Sequence, residues 1–157
     1  MGIQYLRPID NQRVGFDSIP DYLFPTLDGF IDVLEIKLPR HEVIKSDPSH
    51  PGSYAWSPEA SKAIGQVVNY LYEMELNQLQ LQKKINQKYS KQLSREINVI
   101  KPRAFILIGM EDDWDGETKE AFRKLNHTLH GIQVITYTEI AKRGEYIVNL
   151  YSNNDKI

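Results

Sequence analysis

Three charged residues of this sequence have types and spacings that suit a shared chemical task. Asp21 begins one apolar run, and Glu35 and Lys37 stand two residues apart near the end of the next. Alternate side chains of a β-strand point to the same face, so Glu35 and Lys37 should share one. A hairpin turn at residues 27–28 would place Asp21 opposite residues 34–36 and bring a second carboxylate to Glu35.

Two neighbouring carboxylates repel each other unless a cation lies between them, and oxygen ligands with open water positions suit Mg²⁺ or Mn²⁺. The backbone carbonyl of Ile36 is a candidate further ligand. Such a cation polarises a phosphodiester oxygen and lowers the pKa of bound water. The ammonium of Lys37 would stabilise charge developing at phosphorus or position the attacking water. The alternative is a surface Glu–Lys pair on an edge strand, worth less than about 1 kcal/mol.

A second feature lies on a predicted helix. Gln66 and Tyr70 are four residues apart and therefore share a helix face. They lie beside the apolar stripe that packs this helix on the sheet, from where they would reach over the strand ends. Taken alone, both are better explained as polar residues flanking the stripe.

The elements that must position these residues follow from the apolar pattern. Asp-Gly at 28–29 is a strong hairpin signal between two strands. Ser57, Pro58 and Glu59 are a helix start. We predict strands at 3–9, 21–25, 30–38, 103–109 and 132–137, a long loop at 40–57, a helix from 58 to about 75, a thin-striped helix beyond it that continues the first or folds back on it, a helix at 117–130, and a short helix from Thr138. This order predicts an α/β fold with a central mixed sheet flanked by helices, with 30–38 and 103–109 as the central strands.

Composition restricts the class of protein. The chain has 157 residues, a net charge of −2, 41% hydrophobic and 25% charged residues, which fits a single globular domain over residues 1–157. Cysteine is absent, which suits a reducing cytoplasm and excludes thiolate chemistry. No apolar run approaches the roughly 18 residues of a membrane span, so no membrane association is expected. A globally basic nucleic-acid binder is excluded, whereas a local basic groove is not.

The combined pattern resembles a known family. Pro20-Asp21, Glu35-x-Lys37 and Gln66-x-x-x-Tyr70 resemble the PD-(D/E)xK nuclease superfamily, in its branch with a Q-x-x-x-Y helix motif. The blocks PDYLFPTLDGFIDVLEIKLP, SKAIGQVVNYLYEME, KPRAFILIG and LNHTLHGIQVITYTEI are similar, in this order, to the nuclease domain of Shedu antiphage defence proteins. The resemblance covers about residues 20–141.

The resemblance implies a restriction-endonuclease-like core and Mg²⁺- or Mn²⁺-dependent cleavage of DNA. Asp21 and Glu35 would then be metal ligands, Lys37 the catalytic lysine, and Gln66 and Tyr70 auxiliary residues that orient substrate or lysine. Family members usually carry this domain at the C-terminal end of a longer chain, whose N-terminal region regulates it, and they assemble as homo-oligomers. Superfamily members also usually have a helix with an acidic residue before the first strand, and none is visible in this chain.

Contacts to DNA phosphates need only a local basic patch. His41 follows the predicted strand at 30–38, which carries Glu35 and Lys37, and is a further candidate for contact with the substrate. A histidine in a loop, however, more often has no such role. The candidate phosphate contacts are Lys83, Lys84, Lys88, Lys91, Arg95, Lys101 and Arg103. The alternative function is a catalytically silent module of the same fold that binds nucleic acid or a partner protein.

Overall fold

The computed structural model describes residues 8–15, 18–93 and 95–154. The strands are β1 (Ile9–Asp10), β2 (Tyr22–Pro25), β3 (Ile31–Ile36), β4 (Ile44–Ser46), β5 (Tyr54–Trp56), β6 (Ala104–Leu107) and β7 (Ile132–Ile135). The helices are α1 (Pro58–Leu76), α2 (Gln78–Lys88), α3 (Gly116–His127) and α4 (Tyr137–Asn154). No helix in this described part of the chain is long and apolar enough to cross a membrane.

Five strands form the main sheet in the order β1-β2-β3-β6-β7. Strands β1, β2 and β3 pair antiparallel, whereas β3, β6 and β7 pair parallel. The predicted α/β fold with a mixed sheet flanked by helices is therefore confirmed, with β3 and β6 in its interior. Buried Val33 and Ile106 lie on these two central strands, in keeping with their near-continuous apolar sequences.

The turn between β2 and β3 fixes their register. Gly29 has a φ of +90°, a conformation that favours glycine. Thr26 is buried and its hydroxyl accepts a hydrogen bond from the backbone N–H of Phe30 at 3.0 Å. The resulting register pairs Tyr22 with Leu34. The predicted Asp-Gly hairpin is thus confirmed.

Helix α1 begins as its sequence predicts. The Ser57 hydroxyl accepts a hydrogen bond from the Ala60 N–H at 3.0 Å and donates one to the Glu42 carbonyl at 2.6 Å. Asn77 separates α1 from α2, so the thin-striped segment forms a helix of its own, with Leu81 and Ile85 buried.

Two expectations from the sequence are wrong. The segment 40–57, predicted as a long loop, contains a two-stranded antiparallel sheet of β4 and β5. Its strands are only three residues long, and Trp56 packs edge-on against Phe122 of α3 at a centroid distance of 6.0 Å, a contact that local sequence does not reveal. The helix predicted as short is α4, which has 18 residues and is exposed from residue 140 to residue 152.

The strand predicted at 3–9 lies mostly outside the described residues, which begin at Pro8. Strand β1 covers Ile9–Asp10 and pairs with β2 through Ile9 and Leu23.

Two asparagines bind the backbone of neighbouring segments in the same way. The Asn126 side chain accepts from the Val134 N–H at 2.9 Å and donates to its carbonyl at 2.8 Å. Asn86 makes the same pair of bonds, both of 2.8 Å, to Ile97. Because β7 is an edge strand, Asn126 occupies backbone groups that an additional strand would otherwise use.

Candidate active site

The β2–β3 hairpin brings the two predicted carboxylates to one end of the sheet. Extending the Tyr22–Leu34 pairing by one position places Asp21 opposite Glu35, and residues opposite each other share a face. Asp21 is exposed, and its Oδ2 accepts a hydrogen bond from the Ile36 N–H at 2.7 Å. Glu35 is only 4% exposed. The pair therefore joins an accessible carboxylate to a buried one.

Lys37 is held by side chains from two elements. Its Nζ lies 2.7 Å from Glu35 Oε1 and 2.8 Å from Gln66 Oε1, on α1. The Lys37 side chain is 23% exposed, so its ammonium is accessible from the surface while its position is fixed. The ion pair forms because Lys37, one position past the end of β3, continues the alternation of the strand and so lies on the same face as Glu35.

Tyr70 lies one helical turn after Gln66 and is buried. Burial, together with the Glu35 and Asp21 carboxylates, raises the pKa of Tyr70 to about 12. Both carboxylates are therefore close enough to disfavour a phenolate, so Tyr70 is a protonated phenol at neutral pH that can donate a hydrogen bond but is unsuited to act as a base.

The buried carboxylate of Glu35 has one atom unaccounted for. Within the described residues, Glu35 Oε2 is buried and accepts no hydrogen bond of good geometry, although the Tyr70 phenol lies close enough to the Glu35 carboxylate for this contact to help raise the pKa of Tyr70. A buried carboxylate oxygen without a partner is costly, and a hard cation beside Glu35 and Asp21 would supply one.

The donor set fits such a cation. Mg²⁺ is commonly bound through one or two carboxylates while it keeps several waters. In the described ranges no group of three or more His, Asp or Glu residues could hold a metal ion. A cation at this site would therefore depend on only two carboxylates, those of Asp21 and Glu35, with the Ile36 carbonyl as the candidate further ligand. These residues fit Mg²⁺ or Mn²⁺ and do not form the closed cage of a structural site.

The other predicted contacts lie elsewhere. Lys83, Lys84 and Lys88 are exposed on α2. Lys101 pairs with Glu75 at 2.6 Å. His41 follows β3, and its Nδ1 is buried without a hydrogen-bond partner among the described residues.

Arg103 is held by a buried carboxylate. Its guanidinium donates to Asp32 through two nitrogens, at 3.2 and 2.7 Å. Asp32 is three residues before Glu35, an odd number of positions, and therefore points to the other face of β3. Arg103 is therefore engaged in a bidentate ion pair, although its side chain remains 48% exposed.

One neighbour of the site was missed from the sequence. The Tyr137 hydroxyl donates a hydrogen bond of 2.7 Å to the backbone carbonyl of Lys37, 100 positions away in the chain. No short motif contains both residues, so only the fold reveals this contact.

Residues 3–140 match the family model described as Shedu protein SduA, C-terminal. The chain belongs to this Shedu family. Membership associates it with antiphage defence and confirms the Shedu part of the resemblance. The match includes all strands of the main sheet of this Shedu domain, together with α1 to α3. The search of curated proteins found no match.

Proposed function

We propose that this Shedu domain is a divalent-cation-dependent endonuclease of the PD-(D/E)xK type, which hydrolyses phosphodiester bonds of DNA in antiphage defence. The observation that carries the proposal is the Lys37 ammonium, held at 2.7 Å by buried Glu35 and at 2.8 Å by Gln66, beside the second carboxylate of Asp21. A lysine and two carboxylates in this arrangement suit charge stabilisation at a phosphodiester.

Each residue has a role in this proposal. Asp21, Glu35 and the Ile36 carbonyl would hold Mg²⁺ or Mn²⁺, which would polarise the phosphodiester and lower the pKa of a bound water. Lys37 donates hydrogen bonds to the phosphate oxygens where negative charge develops. Gln66 keeps the ammonium in place, and Tyr70 supplies a protonated phenol beside the carboxylates.

Binding of the DNA backbone is proposed to depend on the exposed lysines of α2. Lys83, Lys84 and Lys88 lie on one short helix and provide local positive charge on a chain whose net charge is −2. Each phosphate contact releases counterions, so affinity should fall as salt is raised. Lys101 and Arg103 are paired with the carboxylates of Glu75 and Asp32, so part of their charge is already neutralised and their contribution to binding should be smaller.

A plasmid-nicking assay tests the proposal. The purified chain with supercoiled plasmid and Mg²⁺ or Mn²⁺ is expected to produce nicked or linear DNA, and EDTA is expected to stop the reaction. Glu35→Gln and Lys37→Met should each lower the cleavage rate on the order of 100-fold or more. A labelled single-stranded RNA in parallel reveals any preference for RNA.

A matched control comes from an ion pair on α3. Lys124 Nζ lies 2.7 Å from Glu120 Oε1, the same separation as in the Lys37–Glu35 pair, but both side chains are exposed. Lys124→Met and Glu120→Gln should therefore retain the parent rate. A parent that binds DNA without cleaving it under any divalent cation would instead identify a silent binding module. Cleavage retained in both site variants would overturn the assigned roles.

A further inference from the structure

The backbone of Lys37 is held on both sides, although the residue lies one position beyond the end of β3. Its N–H donates to the Leu107 carbonyl of β6 at 2.8 Å. Its carbonyl accepts from the Tyr137 hydroxyl at 2.7 Å. The peptide units before and after Lys37 are therefore both fixed, which sets the point from which its side chain extends.

The chain leaves the regular strand ladder after Ile36 and turns at residues 39–40. Pro39 has no N–H to donate, and the Leu38 carbonyl accepts from the N–H groups of His41 at 3.1 Å and Gly109 at 3.3 Å. The Gly109 N–H thus bonds the Leu38 carbonyl and not that of Lys37, and the Lys37 carbonyl accepts its hydrogen bond from the Tyr137 hydroxyl.

Tyr137 reaches Lys37 across an intervening strand. It is the first residue of α4, directly after β7, while β6 lies between β7 and β3. Neighbouring strands are about 4.8 Å apart, so the contact requires a long side chain with a donor at its tip, as a phenol has. The Tyr137 N–H donates to the Gly109 carbonyl at 2.9 Å, which fixes the start of this side chain.

We infer that Tyr137 is a positioning residue for Lys37: its hydroxyl fixes the Lys37 backbone so that the ammonium stays between Glu35 and Gln66. The catalytic consequence rests on the proposed nuclease function, whereas the positioning itself does not. Tyr137 acts through Lys37 and has no assigned contact with DNA.

The positioning is tested by the chemical reactivity of the lysine. Tyr137→Phe removes only the hydroxyl, and it should increase the rate of reductive methylation of Lys37 severalfold, measured by peptide mass spectrometry with exposed Lys124 as internal reference. Replacing Tyr137 by para-aminophenylalanine returns an N–H donor at the same place and should restore the slow rate. Tyr54→Phe, at a half-buried tyrosine of β5, should leave the Lys37 rate unchanged.

Kinetics give the second readout. Tyr137→Phe should lower kcat for plasmid cleavage on the order of 10-fold, with the KM for DNA changed by less than about twofold, because the reacting group is misplaced while DNA contacts remain. If Tyr137→Phe is unstable, para-methylphenylalanine serves as the variant without a donor, because its methyl group fills the position of the hydroxyl. The methylation rate and kcat are then compared between this variant and the para-aminophenylalanine variant.

The two proposals fail differently. If Tyr137→Phe speeds methylation of Lys37 but the parent cleaves no nucleic acid, the nuclease proposal is refuted and the positioning role of Tyr137 stands. An active parent whose Tyr137→Phe variant keeps both the methylation rate and kcat would overturn the positioning. If the parent cleaves no nucleic acid and Lys37 is methylated at the same rate in the parent and in Tyr137→Phe, both the nuclease function and the positioning role are refuted.

Discussion

The side-chain oxygen of Gln66, on α1, accepts a hydrogen bond of 2.8 Å from the ammonium of Lys37, 29 positions earlier in the chain. Glu35 holds the same ammonium with a charged oxygen at 2.7 Å. Gln66 is neutral, so it restrains the ammonium without placing a second negative charge beside it. In the proposed function, the positive charge of this ammonium would be available to a phosphate of the substrate.

Removal of the Gln66 amide should therefore impair cleavage more than stability. Gln66→Ala is expected to lower kcat on the order of 10-fold, because the ammonium loses one of its two restraints. The free energy of unfolding should change by less than about 0.5 kcal/mol, since Gln66 is exposed. Plasmid nicking and urea denaturation measure the two effects. Gln87→Ala, at an exposed glutamine of α2, is the control, and a parent-like kcat in Gln66→Ala would contradict the prediction.

Mg²⁺ or Mn²⁺ should stabilise the parent against heat. A cation that binds only the folded chain adds about 2.7 kcal/mol to the free energy of unfolding at 100 times its Kd, and Glu35 Oε2 would gain a partner. Glu35→Gln should abolish the metal-dependent rise in Tm, measured by differential scanning fluorimetry at constant ionic strength.

Glu120→Gln provides the control for the metal-binding prediction. Glu120 is an exposed carboxylate paired with Lys124 on α3, so its variant should keep the full metal-dependent rise in Tm. An equal rise in Glu35→Gln would place the bound cation away from Glu35.

The main sheet was predictable because its sequence signals are local. The Asp-Gly turn and two apolar runs define a hairpin, and side-chain alternation along 30–38 places Glu35 and Lys37 on one face. The observed Tyr22–Leu34 register agrees with the expected position of Asp21 opposite residues 34–36. The four-residue spacing of Gln66 and Tyr70 likewise required only the geometry of one helix.

The structural features that the sequence did not predict depend on contacts between segments that are distant in the chain. The three-residue strands β4 and β5 resemble a loop in sequence because Pro and Gly surround them, and Trp56 is placed by its packing against Phe122. The Tyr137–Lys37 bond joins positions 100 residues apart. Similarly, nothing near Arg103 in sequence indicates that buried Asp32 binds it.

The raised pKa of Tyr70 predicts a pH effect on stability. Burial and the Glu35 and Asp21 carboxylates raise this pKa to about 12, above the value of about 10 of a tyrosine in an unfolded chain. The phenol therefore contributes stability that is fully present below about pH 10 and is lost as pH rises toward 12. Between these limits the parent should lose on the order of 2 kcal/mol more than Tyr70→Phe.

Urea denaturation at pH 9, 10, 11 and 12 measures this difference, and absorbance at 295 nm follows tyrosine ionisation directly. Tyr72→Phe, at an exposed position of the same helix, should retain the pH dependence of the parent. Identical pH profiles for the parent and Tyr70→Phe would show that neither burial nor the two carboxylates raises the pKa of this phenol.

Gly109 should be intolerant of any side chain. Its φ is +67°, and an added Cβ would lie 2.4 Å from Val43 Cγ2 and 2.6 Å from the His41 carbonyl oxygen. The left-handed conformation alone makes Gly109→Ala destabilising by roughly 1–3 kcal/mol, and the backbone contact adds to this cost. Because the Gly109 carbonyl accepts from the Tyr137 N–H, cleavage should fall as well.

Gly65→Ala is the matched control: Gly65 lies within α1 with nothing within 4 Å of the added Cβ, so alanine should increase stability by about 0.5–1 kcal/mol. Urea denaturation of the two variants must therefore give changes of opposite sign, and a neutral Gly109→Ala would contradict the close approach of His41 and Val43 to Gly109.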